Sequence, residues 1–337
     1  MHIQPDNNRK IRLLYRLIYL VIRHPIRIYN FTRLELIAGR SWSEVVRNIV
    51  INTHILDKHL DWLHFGFATM GIGRENVAKA INARSAISFR GYDIGLYPHQ
   101  HPNCYSLLWE RIEKVHTISD ELYEKALSLG LHPDIPVQKI TPAIDINFFF
   151  SKKILKLHDP IRLLSVGRLT WKKGFEYSLM ALDLLKKEGI DFEYRIVGDG
   201  DYREAIIFAM HQLQLTDHVK LKGQLSQGEV KEEMEWADIY IQPSIQEGFC
   251  NAVLEAQAMG LLCIVTDAEG LSENVFDRKT GWVVNKRSPE KIVSEIKVVK
   301  EMDYNQLNKI KKNAIQRVRN NFNLSKQINK WVGFYKY

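Results

Sequence analysis

An α/β protein of two doubly wound, parallel-sheet domains is predicted. Short apolar runs alternate with helical patterns in both halves of the chain, and several of those runs end in glycine-containing turns. The length, 337 residues, allows two domains, and an apolar fraction of 45% allows each a sizeable core.

The second half is read in order. Ile161–Val166 is an apolar run ending in Gly167, and a helical pattern follows from Phe175 to Lys187, closed by Gly189. Phe192–Val197 is the next strand and ends in Gly198-Asp199-Gly200. Helix 202–213 precedes strand Val219–Leu221, helix 227–236 precedes strand 239–242, and helix 250–259 precedes strand Leu261–Thr266. A helical turn at 271–275 leads to Trp282–Val284, and from Pro289 the pattern stays helical. In the first half the candidate strands are Trp62–Phe67, Ala86–Phe89, Val115–Ile118 and Val137–Ile140, with helices near 9–23, 42–56, 74–82, 104–112 and 119–129. The expected domains are 1–148 and 149–322, with a C-terminal helix over 323–337 crossing back to the first domain. Two such sheets place strand C-terminal ends around a cleft, where open α/β sheets bind ligands.

The net charge of +8 is uneven, with +6 falling in residues 1–40. There Ile11, Leu14, Tyr15, Ile18 and Ile22 repeat at helical spacing among Arg12, Arg16 and Arg23. A basic amphipathic helix over residues 9–23 suits an anionic membrane surface; a domain helix with a solvated basic face fits the same pattern. No nucleic-acid motif accompanies the charge, so nucleic acid is not an expected partner. Cys104, Cys250 and Cys263 have no metal-ligand spacing and read as reduced thiols of a cytoplasmic protein. No run is long enough to span a bilayer.

The chemistry concentrates in two loops. Gly167-Arg168-Leu-Thr-Trp-Lys-Lys173-Gly174 follows a strand and opens a helix, so Arg168 and Lys173 project beside a helix N-terminus. Such a set suits a diphosphate; two surface cations are the plainer reading. Glu247-Gly-Phe-Cys-Asn-Ala-Val-Leu-Glu255 runs from a second strand end into a helix. Backbone N–H groups there suit a phosphate, and the two acids suit sugar hydroxyls. Asp199-Gly200-Asp201 reads as a turn rather than a metal chelate, and no metal site is expected.

Four ordered patterns, GRLxxxKG at 167–174, VGDG at 197–200, VKLKG at 219–223 and Glu247…Glu255, resemble the family 4 glycosyltransferases of the GT-B fold. The likeness covers about 160–285, more weakly 61–145. SFRGYDIGLYP and VHTISDELYEKA resemble the branch that builds bacterial exopolysaccharide or lipopolysaccharide, in the manner of colanic-acid transferases. The resemblance implies a retaining, metal-independent hexosyltransferase needing no cofactor. It would use a UDP- or GDP-sugar and a growing, lipid-linked glycan, from the cytoplasm or the inner face of the membrane. It places Gly167, Arg168, Lys173 and Gly198 around the donor diphosphate. Glu255 would bind the ribose and Glu247 the transferred sugar. Gly248, Phe249 and Cys250 would lie near the phosphates, and Gln224 and Leu225 beside the base.

On the acceptor side the chain has Arg90 where relatives carry a histidine. Arg90 would hold an acceptor phosphate or the donor. His64 and His116, each near a strand end, are candidates to assist acceptor deprotonation or are partly buried polar residues. Gly71-Ile-Gly73 imitates a dinucleotide fingerprint, opening a helix, but Asn76 stands where its third glycine belongs. The family's N-terminal domain begins with a strand and a Gly-rich loop, whereas this chain opens with a helix. The leading strands are therefore expected to be missing, leaving a bare sheet edge near 62–67. A non-catalytic GT-B partner subunit and a nucleotide-sugar epimerase are the alternative readings; Glu247 with Arg168 and Lys173 argues against the epimerase.

Overall fold

The computed structural model describes residue 15, residues 17–152 and residues 154–336. The chain divides into two compact units between Lys139 and Ile140.

The first unit holds a four-stranded, all-parallel sheet in the order β1 (Trp62–Phe65), β2 (Arg84–Phe89), β3 (Lys114–Thr117), β4 (Val137–Lys139). The central β2 is buried along nearly its whole length, whereas β1 alternates and β4 is mostly exposed, as edges do. Among the described residues β1 pairs only with β2. It is thus an edge strand at the place where a bare edge was expected; its apolar Leu63 and Phe65 are buried, while Phe67 just beyond it is 43% exposed. The Arg84 guanidinium lies 4.2 Å over the Trp62 ring.

Among the described residues, helical residues 17–23 and the helices α1 (Pro25–Ile37) and α2 (Trp42–Leu56) precede this sheet. The sequence reading missed α1. Only Phe31 and Glu35 of this helix are buried, so it carries no apolar stripe at helical spacing. Glu35 is wholly buried and accepts from Asn48 Nδ2 at 2.7 Å and Asn76 Nδ2 at 2.8 Å. Arg40 Nε lies 3.4 Å from it, and Arg40 also pairs with Glu75. Asn76 in turn accepts from Arg111 Nε. The position that imitated a fingerprint glycine is thus a structural crossing point, and the helix after Gly73 is only Val77–Ala80. α2 starts at a full capping box, Ser41 with Glu44.

The second unit holds six parallel strands. In chain order they are β5 (Ile161–Val166), β6 (Phe192–Val197), β7 (Val219–Gly223), β8 (Ile239–Gln242), β9 (Leu262–Thr266) and β10 (Trp282–Val284). In space they run β10-β9-β8-β5-β6-β7. β8 and β9 are buried at every residue, while edge strand β7 alternates Val219 and Leu221 with Lys220 and Lys222. α3 (Phe175–Lys187), α4 (Gln227–Trp236), α5 (Asn251–Met259), α6 (Pro289–Glu301), α7 (Tyr304–Asn321) and α8 (Leu324–Tyr335) belong to this unit. The core joins Leu163, Ile196, Ile241 and Ile264 of the sheet to Leu182, Val293 and Ile296 of α3 and α6.

Candidate active site

The chain leaves β5 for β6 on one side and later inserts β8 on the other, so the strand order switches between β5 and β8. A crevice opens at the C-terminal ends of strands that part in this way. The loop 167–174 follows β5 and the loop 243–250 follows β8, so both borders of this crevice carry the residues singled out from the sequence.

Main-chain contacts hold these loops. Gly167 N–H donates to Val197 O and Leu169 N–H to Asp199 O. At Gly198, with φ of +139°, a Cβ would sit 1.9 Å from Gly167 O, so only glycine lets the two loops touch. At Gly174, with φ of +62°, a Cβ would meet Pro243 O at 2.3 Å, and Ile245 N–H donates to Lys172 O at 2.7 Å. Asp199 takes the Gly200 N–H, as a turn residue does.

Within this frame Lys173 Nζ donates to the Glu247 carboxylate, both side chains being mostly buried. Burial opposes the Lys173 charge, but neighbouring Cys250 and the Glu247 carboxylate outweigh it and hold the pKa above its ordinary value. The Lys173 chain lies against Gly167, and Arg168 is exposed at the loop tip. Burial pushes the Cys250 thiol up to about 11, so it stays protonated near neutrality.

Glu255 lies on α5, two turns beyond Glu247, and burial pushes its carboxyl up to about 7. Gln224 is exposed and Leu225 half-buried in the loop after β7, just before the Ser226–Glu229 capping box of α4. Gly248 is half-buried and Phe249 buried, while Cys250 donates its own N–H inward to Asn274 Oδ1 at 3.0 Å.

Several residues that sequence reasoning did not single out hold this arrangement. Tyr240 OH donates to Gln242 Oε1, Gln242 Nε2 to Ser244 Oγ, and Ser244 Oγ lies 3.4 Å from the Glu247 carboxylate. Glu269 accepts the Glu247 N–H at 2.8 Å, and Gly270 N–H donates to Glu247 O. None of these partners stands in the GRLxxxKG or Glu247…Glu255 pattern, so spacing gave no sign of them.

The first unit carries the remaining candidates. His64 on β1 and His116 on β3 are joined through Ser88 on β2. Burial, then the neighbouring Arg90 charge, pulls the His64 imidazole down to about 4, so it is neutral at physiological pH. His116 is 1% exposed. Arg90 follows β2, and its N–H, with those of Gly91 and Ala68, is accepted by the buried Asp93 carboxylate. Asp93 therefore ties the loop after β1 to the loop after β2. Among the described residues no group of three or more potential metal ligands is found, and no helix is long and apolar enough to cross a membrane.

Comparison with known proteins identifies the family. Residues 147–317, which include Arg168, Lys173, Glu247 and Glu255, match the family described as Glycosyl transferases group 1. WcaL of Escherichia coli (strain K12), named for colanic acid biosynthesis, is 29% identical over 77% of this chain and 66% of its own length. The amylovoran biosynthesis glycosyltransferase AmsK of Erwinia amylovora is 32% identical over 66% of this chain and 56% of its own. The chain thus spans just under two thirds of the length of one and just over half of the other. The structure of Anabaena HepE in complex with UDP superposes with a TM-score of 0.74 at 17% identity, over 84% of this chain and 81% of that one. It shares the GT-B fold, two parallel-sheet α/β domains. That family match covers just over half of the 337 residues, and the chain belongs to the group 1 glycosyl transferases.

Proposed function

We propose that the protein is a retaining glycosyltransferase that moves a hexose from a nucleotide-diphosphate sugar to a lipid-linked glycan in exopolysaccharide biosynthesis. The observation that carries this is the Lys173–Glu247 pair at the β5/β8 switch point, with Arg168 exposed beside it. In transfer, the bond from the sugar C1 to the diphosphate oxygen breaks, and its electron pair leaves with the nucleoside diphosphate. The acceptor oxygen then bonds to C1 on the same face, and its hydroxyl proton passes to the departing diphosphate oxygen. Arg168, Lys173 and the N-terminus of α3 would meet the charge that develops on the leaving group. Losing one such group commonly costs about 10²–10³ in rate. These cations supply the stabilisation without requiring a metal. Glu247 would hydrogen-bond the transferred sugar, and Glu255 would accept from the ribose hydroxyls.

HepE was solved with UDP, and a relative 26% identical over 64% of this chain is named for transfer from UDP-Gal to a diphosphoundecaprenol-linked sugar. Both support a nucleotide donor and a lipid-linked acceptor. A peripheral position on the inner face of the cytoplasmic membrane follows from the same acceptor. Exposed Tyr15, Ile18, Ile22, Ile26 and Tyr29 near Arg23 support it. Arg9, Lys10, Arg12 and Arg16 of the basic segment lie outside the described residues. Calorimetry with UDP- and GDP-sugars tests the donor. Wild-type protein should bind one of them and Lys173→Ala should bind it at least tenfold more weakly; no affinity of the wild type for either would sink the assignment.

A further inference from the structure

The loop that carries Glu247 is fastened from the segment that follows β9. Gly270 N–H donates to Glu247 O at 2.9 Å, and a Cβ on Gly270 would sit 1.9 Å from Gly248 O. At the other end of the loop stands Asn274, wholly buried at the close of the helical turn Leu271–Asn274. Cys250 N–H donates to its Oδ1, and its Nδ2 donates to Cys250 O, each at 3.0 Å. A carboxamide carries a peptide's donor and acceptor side by side. Asn274 thus pairs with Cys250 as a neighbouring strand would. Its orientation is fixed, because a main-chain N–H only donates and a main-chain carbonyl only accepts.

Asn274 is itself held from α7. Arg317 donates through Nη1 to Asn274 O at 2.6 Å and through Nη2 to Glu273 O. Its guanidinium lies 4.0 Å over the Phe276 ring and 4.8 Å over the Phe322 ring, and Phe322 packs on Phe249 of the Glu247 loop. Burial works against the Arg317 charge more strongly than the Glu273 charge supports it. A cation kept in such a place offers a geometry that an apolar residue could not supply. Here that geometry is the two-pronged grip on consecutive carbonyls. We propose that Asn274 and Arg317 are positioning residues for the transferred sugar. Arg317 sets Asn274, Asn274 sets the main chain of Cys250, and the loop so held keeps the Glu247 carboxylate at the sugar. This inference rests on the transferase reading for the sugar, but not for the tie between α7 and the loop.

The test uses the full chain. Arg317→Met removes the grip but keeps a long side chain, and Asn274→Ala removes the pairing with Cys250. Calorimetry compares the UDP- or GDP-sugar with the bare nucleoside diphosphate. Both variants should bind the nucleotide sugar about tenfold more weakly and the diphosphate within about twofold of the wild type. In a Glu247→Ala background either substitution should change nucleotide-sugar affinity by less than about twofold, because both act through that carboxylate. A loss that persists without Glu247, an equal fall for both ligands, or unchanged affinity would overturn the proposal. Where Arg317→Met does not fold, Arg317→Lys, which keeps the charge, carries the same comparison with an expected loss of about threefold. Hydrogen exchange of the ligand-free protein reads the tie itself. The Glu247 and Cys250 amides should exchange about tenfold faster in the Arg317 variant, and unchanged exchange would overturn the tie. If the wild type binds neither nucleotide sugar, it is the transferase reading that fails, and exchange still decides whether Arg317 holds the loop.

Discussion

At the scale of single residues, Glu255 is poised to titrate near neutrality, because burial raises its carboxyl to about 7. A carboxylate accepts from ribose hydroxyls most strongly when ionised. Near pH 7 about half of the ligand-free protein carries the proton there, so donor binding should release a proton. Affinity is then expected to rise with pH through 7, level off above about 8, and fall up to tenfold per unit below it. Calorimetry in buffers of different ionisation enthalpy measures the released proton, and Glu255→Gln should remove both the release and the slope. Glu255, Glu247 and Lys173 were legible in the sequence because each sits at a fixed spacing from a strand end. Ser244, Gln242, Glu269 and Asn274 were not. Each acts on a residue of another loop or on a neighbour within its own, so nothing in its sequence setting distinguishes it from a solvated polar side chain. Ser88 was hidden for the same reason, since its partners lie 24 and 28 residues away.

At the scale of elements, the sequence was most legible where a short apolar run stops at a Gly or Pro, as at Gly167, Gly198 and Pro243. β5, β6 and β8 fall on the predicted residues, as do α3 and α4. The failure was α1, whose inward face presents a carboxylate in place of an apolar stripe. That carboxylate anchors the helix: Glu35 draws Asn48 of α2, Asn76 and Arg40 around one buried charge. Removing one member of a buried charged network strands the rest without their partner. Glu35→Ala is therefore expected to cost about 3–5 kcal/mol, read as a lower urea midpoint. Glu35→Gln, which keeps the shape and one acceptor oxygen, should cost clearly less. A midpoint unchanged in Glu35→Ala would mean the network adds nothing to stability.

At the scale of the whole molecule, the family pattern spans 147–317 and leaves the first unit outside it. The first unit also carries most of the net charge, as +6 of the total +8 lies in residues 1–40. Its binding to a membrane is a separate question from its chemistry and has a separate test. Replacing Arg12, Arg16 and Arg23 by glutamine should weaken partition onto vesicles containing anionic lipid by about 1 kcal/mol per charge. Neutral vesicles should not distinguish the variant from the wild type. Equal partition of both proteins onto anionic vesicles would favour a solvated basic face.

The glycine-mediated contacts of the loop after β5 with the loops after β6 and β8 have a further consequence. Because these loops are fastened main chain to main chain, their rigidity owes little to the side chains at their tips. Thr170, Trp171 and Gln246 can be varied in a combinatorial library while the frame around Lys173 and Glu247 keeps its shape. Donor preference in this scaffold should thus be open to laboratory evolution without the loss of folding that usually limits it, provided Gly174 and Gly198 are left untouched.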